Sequence, residues 1–125
     1  MAVAAKAESG RLTTHILDTA RGRPAADVRI ELFRLTNTGR EAVVEAKTNA
    51  DGRCDAPLLS GGAFAPGIYE LVFHLGPYFR AAGLDLTDPA FLDEVPIRFG
   101  VAEAGQHYHV PLLISPFGYS TYRGS

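Results

Sequence analysis

Short apolar stretches that alternate every second residue, broken at close intervals by glycine and proline, are what most limits the folds open to this chain. In Val28 to Leu35, Val28, Ile30 and Leu32 fall on one side and Arg29 and Glu31 on the other. That period of two belongs to a strand with one face buried. Similar runs span Leu12 to Leu17, Glu41 to Thr48, Ile68 to Leu75, Phe91 to Val101, Gln106 to Ile114 and Phe117 to Tyr122. Ala20-Arg21-Gly22-Arg23-Pro24, Asn49-Ala50-Asp51-Gly52 and Pro66-Gly67 punctuate them, and the Asp-Gly pair predicts a hairpin. Only Pro77 to Gly83 reads as a helix, begun near a proline and stopped by a glycine. The expected fold is all-β, an antiparallel β-sandwich with one short helix.

Composition narrows the function classes. A chain of 125 residues, 46% apolar and 21% charged, fits one globular domain, expected over residues 11–125 behind a flexible leader at 1–10. A net charge of −2 without any basic run argues against nucleic acid as a partner. No apolar run approaches the roughly 20 residues that span a bilayer, and the N-terminus lacks a signal-type apolar region. A soluble, cytoplasmic protein is expected. The single cysteine, Cys54, excludes an intramolecular disulfide and a multi-cysteine zinc site.

The first candidates for chemistry are the four histidines, His15, His74, His107 and His109. His107 and His109 are two apart and share one face of their strand with Pro111 and Leu113, whereas Tyr108, Val110, Leu112 and Ile114 form the bulkier opposite face. Placing that apolar set in the core turns the histidines outward. If Ile16 points inward, His15 points outward as well. Leu17, Pro111 and Leu113 beside them predict a face covered by another subunit, where an imidazole titrates near neutrality. The set His15, His107 and His109 also has the spacing of a three-histidine zinc site, and that alternative stays open. His74 reads as a satisfied edge histidine, Cys54 as a small buried hydrophobe and Asp85, Asp88, Asp93 and Glu94 as a solvated loop. Ser60 lacks a nucleophile-elbow context. The aromatic C-terminal stretch ends abruptly on Tyr122-Arg123-Gly124-Ser125, which predicts that the terminus itself is used.

Several segments carry a family resemblance: Leu12-Thr13-Thr14-His15-Ile16-Leu17-Asp18, Gly22-Arg23-Pro24-Ala25, Thr48-Asn49-Ala50-Asp51-Gly52-Arg53, and His107-Tyr108-His109-Val110-Pro111-Leu112-Leu113 through Tyr122-Arg123-Gly124-Ser125. Over about residues 11 to 125 the chain resembles the 5-hydroxyisourate hydrolases, transthyretin-related enzymes of urate breakdown. Transthyretin shares the fold but lacks the histidines and the terminal tetrapeptide. Phe117 stands where tyrosine is common in the family. The resemblance implies a transthyretin-type sandwich, a homotetramer built as a dimer of dimers, a small purine-derived substrate, and no metal or other cofactor. It implies His15 and His109 as the water-activating and proton-relaying groups and Arg53 as the substrate-orienting, oxyanion-holding cation. Tyr122, Arg123, Gly124 and Ser125 would contact the substrate or shape the pocket end. The competing expectation is a transthyretin-like carrier that binds a small ligand without chemistry. A structural immunoglobulin-like module would leave the histidine face unexplained.

Overall fold

The computed structural model describes residues 10–124. Their strands are β1 (Arg11–Asp18), β2 (Arg23–Pro24), β3 (Arg29–Thr36), β4 (Gly39–Lys47), β5 (Leu59–Ser60), β6 (Gly67–His74), β7 (Glu94–Val101), β8 (His107–Ser115) and β9 (Gly118–Thr121), with α1 (Leu75–Ala81) between β6 and β7. One sheet runs β2-β1-β8-β9, with β5 also paired to β1; the other runs β4-β3-β6-β7. Every pairing is antiparallel except β1 with β8, which run parallel. The sandwich is thus the expected one, with a parallel pair at the centre of one sheet. The expected leader lies outside the described residues except for Gly10, which is buried, its carbonyl accepting from the Gly61 N–H.

Alternation sends the apolar half of each strand between the sheets. Leu12 and Ile16 of β1, Ile30 and Leu32 of β3, Leu71 and Phe73 of β6, and Leu112 and Ile114 of β8 are all buried there. Tyr69 joins them because its hydroxyl donates to the Ala65 carbonyl at 2.6 Å, so burial strands no polar atom. Thr14 is treated likewise, donating to the Val110 carbonyl at 2.7 Å.

Two boundaries differ from expectation. The helix starts at Leu75, two residues ahead of Pro77, because the N–H groups of Leu75 and Gly76 are received by the Asp93 carbonyl. That same use of Asp93 starts β7 at Glu94, opposite His74, and leaves Phe91 outside the sheet and 70% exposed. So Asp93, expected in a solvated loop, anchors the helix. At the other end Gly83, at φ +88°, closes the helix as predicted, with the Leu84 N–H reaching the Phe79 carbonyl. The Asp51-Gly52 turn does not make a hairpin. It hands the chain from the end of β4 across to β1 in the other sheet, where Arg53 bridges His15.

At the end of β1, Asp18 is buried with its carboxylate accepting from Tyr78 Oη at 2.7 Å and from Arg21 Nε at 2.9 Å. Burial opposes its ionisation, but the Tyr78 and Arg21 hydrogen bonds outweigh it and hold the carboxyl below its usual range. A depressed carboxyl adds stability above its unfolded value, and that stability drains away as pH falls through the lower, folded one. Tyr78→Phe removes one donor from the carboxylate and should destabilise the fold by about 1–2 kcal/mol at pH 7. In urea unfolding at fixed protein concentration the deficit should shrink as the pH is taken below about 4; a deficit independent of pH would contradict this role.

Candidate active site

The parallel register of β1 and β8 sets Arg11 beside His107, Thr13 beside His109 and His15 beside Pro111. Since Leu12, Thr14, Ile16, Tyr108, Val110 and Leu112 point inward, Arg11, Thr13, His15, His107 and His109 share the outer face. The outward placement of the histidines predicted from alternation is the one observed. His15 and His109 stand on adjacent strands though 94 residues separate them in sequence.

Arg53 reaches this face through the turn that follows β4. Asn49 Oδ1 accepts from the N–H of Asp51 at 2.9 Å and of Arg53 at 3.2 Å, and Asn49 Nδ2 donates to Asp55 Oδ1 at 2.9 Å. Gly52 takes φ +75°, and its carbonyl accepts from the Ile16 N–H at 2.8 Å. A Cβ at Gly52 would collide with the Ile16 carbonyl oxygen, so only glycine permits this approach. The turn thereby binds to β1 beside His15. It also supplies a ligand to the ring, for His15 Nε2 lies 2.9 Å from the Asp51 carbonyl. A carbonyl only accepts, so Nε2 carries the proton and Nδ1 is the bare nitrogen of the neutral ring.

His109 is enclosed from two sides. The C-terminal segment returns over it, with the Gly124 N–H donating to the His109 carbonyl at 2.8 Å. A Cβ on residue 124 would lie 2.6 Å from His109 Cδ2, so the ring leaves room for glycine alone. On the other side Thr13 Oγ1 lies 2.8 Å from His109 Nδ1 and 2.7 Å from His107 Nε2. The histidine rings of 107 and 109 are 5.9 Å apart between centroids. Thr13 escaped the sequence reading; the signal available was its parity with His15, but only the register with β8 gives it partners.

Burial, then the Arg53 charge, pushes His15 below the ordinary histidine range, against the opposing pull of Asp51. Burial also lowers His109, aided by Arg53, His107 and His15, and lowers His107, aided by Arg11 and Arg123. All three rings are therefore neutral bases at pH 7. A depression of about 410 Å³ opens here, lined by Arg11, Thr13, Arg53, Cys54, His107 and His109. His15 adjoins it without lining it. Cys54 is half-buried, and its thiol is pushed up by burial and by Asp55, as suits an inert side chain.

The other sequence-predicted groups lie elsewhere in the protomer. Tyr122 is 61% exposed and, with Arg123, lines a separate shallow depression against β7. Arg123 stacks on the Tyr108 ring at 4.0 Å and donates to Gln106 Oε1 at 3.0 Å. Ser125 is outside the described residues. Among the described residues no three His, Cys, Asp or Glu side chains converge on a metal position. A larger depression, about 960 Å³, lies beside α1, but Arg21, Arg29 and His74 in its wall are already paired with Asp18, Glu45 and Glu31. His74 is the satisfied histidine that the sequence predicts.

Residues 12–124 match the model of the HIUase/Transthyretin family. A protein of Rhizobium meliloti (strain 1021) named 5-hydroxyisourate hydrolase 2 is 63% identical over 94% of this chain and 98% of its own length. The crystal structure of (S)-allantoin synthase superposes with a TM-score of 0.89 at 48% identity over 94% of this chain, which spans only 44% of that protein. The Klebsiella pneumoniae 5-hydroxyisourate hydrolase superposes with a TM-score of 0.77 at 36% identity, covering 93% of this chain and 99% of that one. With the sandwich, the β1–β8 histidine face and a match running almost end to end, this chain is a member of the HIUase/Transthyretin family.

Proposed function

We propose that this protein hydrolyses 5-hydroxyisourate, opening its six-membered ring at an amide-type carbonyl to give 2-oxo-4-hydroxy-4-carboxy-5-ureidoimidazoline. The observation that carries this reading is the meeting of two neutral imidazoles with one permanent cation on an open sheet face. Amide hydrolysis needs a base to take a proton from water and a cation or donor to hold the oxyanion. His15 Nδ1 and His109 Nε2 are the nitrogens not engaged by the Asp51 carbonyl and Thr13. Between them the two rings take a proton from water and return it to the departing nitrogen. Arg53 presents a planar fork of donors suited to the carbonyl oxygens of an oxidised purine. No step calls for a metal ion.

The active assembly is a homotetramer, a dimer of dimers, in which the histidine faces of paired protomers enclose a channel. The exposed Phe117, Tyr119 and Tyr122 along the β9 edge, and partly exposed Leu17 and Leu113 beside the histidines, support an interface there. Gly124 shapes the pocket by its contact with His109; Tyr122 and Arg123 join the substrate site from the protomer edge, and Ser125 is a further substrate contact. A passive carrier of an apolar ligand would have little use for three such polar groups.

Freshly generated 5-hydroxyisourate decays spontaneously, so the deciding assay is whether substoichiometric protein accelerates its ultraviolet decay. His15→Ala or Arg53→Glu should reduce that acceleration by roughly 10²- to 10⁴-fold with the circular dichroism spectrum and oligomeric mass unchanged. Binding without acceleration would establish the carrier instead. Gly124→Ala should cost about 10²-fold, since the methyl must displace the tail or the His109 ring; a fully active variant would refute the close-approach role. Chelators should leave the rate unaltered. The acid limb of the pH–rate profile should fall below pH 6.5, the ordinary histidine value, because His15 and His109 are both lowered from it. A limb above that value would exclude them as the bases.

A further inference from the structure

We infer that Thr13 is a positioning residue of the hydrolytic site, its hydroxyl coupling His107 to His109 and fixing which nitrogen of His109 meets the substrate. The inference rests on the hydrolase reading above and gives His107, otherwise without a part, a place in it. Thr13 Oγ1 is within 2.8 Å of one nitrogen on each ring. A hydroxyl has one proton and two lone pairs. It therefore cannot donate to both rings: it donates to one and accepts from the other, or accepts from both. When it donates to His107 or accepts from both, His109 carries its proton on Nδ1 and presents a bare Nε2, a base. When it donates to His109, Nε2 of that ring bears the proton, an acid. Removing the hydroxyl would free the His109 tautomer to exchange at random.

These arrangements interconvert through the bridge, and the proton count balances. Water gives a proton to His109 Nε2 while its hydroxide adds to the substrate carbonyl. The Nδ1 proton of His109 passes to Thr13 Oγ1 as the hydroxyl proton passes to His107 Nε2. His109 is then neutral with its proton on Nε2, ready for the departing nitrogen, and the positive charge sits on His107. As that proton leaves, the reverse shift restores His109. The groups around the bridge are Arg11 and His15 from β1, Arg53 and Asp55 from the turn region, His107 from β8, and Arg123 from the C-terminal segment. Moving charge to His107 takes it away from Arg53 when the guanidinium is needed by the oxyanion, and burial and the Arg11 and Arg123 charges, which oppose it on His107, drive its return.

The test compares Thr13→Val, which keeps the shape, with Thr13→Ser, which keeps the hydroxyl, and reads imidazole ¹⁵N signals beside kinetics. Thr13→Val should lower kcat roughly 10- to 100-fold with KM little changed, and Thr13→Ser should restore most of it. His107→Phe should lose a similar amount, and the double variant Thr13→Val/His107→Phe no more than either alone. In Thr13→Val the ¹⁵N signals should show His109 as a mixture of tautomers, where the parent shows one. Should Thr13→Val fold poorly, Thr13→Ala gives the same readouts. Full kcat in the valine variant, equal impairment by serine and valine, or an unmoved His109 tautomer would each overturn the inference. If the unmutated protein fails to accelerate 5-hydroxyisourate decay, the hydrolase reading falls by itself. The ¹⁵N comparison then decides the Thr13 bridge alone, a shifted tautomer supporting it and an unshifted one rejecting it.

Discussion

The parallel pairing of β1 with β8 is the contact on which the rest of the molecule turns. Eight residue pairs, from Arg11 with His107 to Asp18 with Ile114, hold it in register. Because side chains alternate, a slip of one residue would bury His109 and expose Leu112, at a cost the core would not tolerate. The apolar residues thus specify the register, and the register delivers Thr13, His107 and His109 to one hydroxyl's reach. Site geometry is a consequence of core packing, and no local motif in either strand encodes it.

Around this pairing the chain places a loop and a tail by close backbone approach. Gly52 admits the turn to Ile16, and Gly124 admits the C-terminal segment to His109. In both places the missing side chain is what makes the contact possible. Asn49 then braces the turn through three hydrogen bonds, so Arg53 is held by polar contacts near a strand edge instead of by burial. That arrangement leaves the guanidinium exposed to a ligand while keeping its backbone fixed.

Electrostatics follows from the same crowding. Three imidazoles share a partly desolvated face with Arg53 and Arg11, within the field of the Arg123 charge, and each added proton would face both burial and like charge. Among the described residues none of these rings pairs with a carboxylate, whereas His74 meets Glu31 at 2.8 Å on the other sheet. One protein thus holds histidine in two settings, one hydrogen-bonded to a carboxylate at the end of β6 and a cluster around Thr13.

Much was legible before any coordinates. Period-two alternation is a local property, so it placed Tyr108, Val110, Leu112 and Ile114 inside and His107, His109 and His15 outside. Gly83 as the helix stop was legible for the same reason, since its positive φ is a demand on one residue. Local signals failed where the partner was remote. The Asp51-Gly52 pair has the chemistry of a hairpin turn, yet its chain crosses to the other sheet because β1 offers the Ile16 N–H to the Gly52 carbonyl. Phe91 looked like the start of a strand, but β6 ends at His74 and leaves it nothing to pair with. The sequence by itself determined which face each side chain takes, because a strand's alternation needs no knowledge of its neighbours. Only the tertiary structure decided that Thr13 bridges two histidines, that Gly124 rests on His109 and that Tyr122 lies apart from them, because strand order and parallel register depend on contacts between residues some 100 positions away.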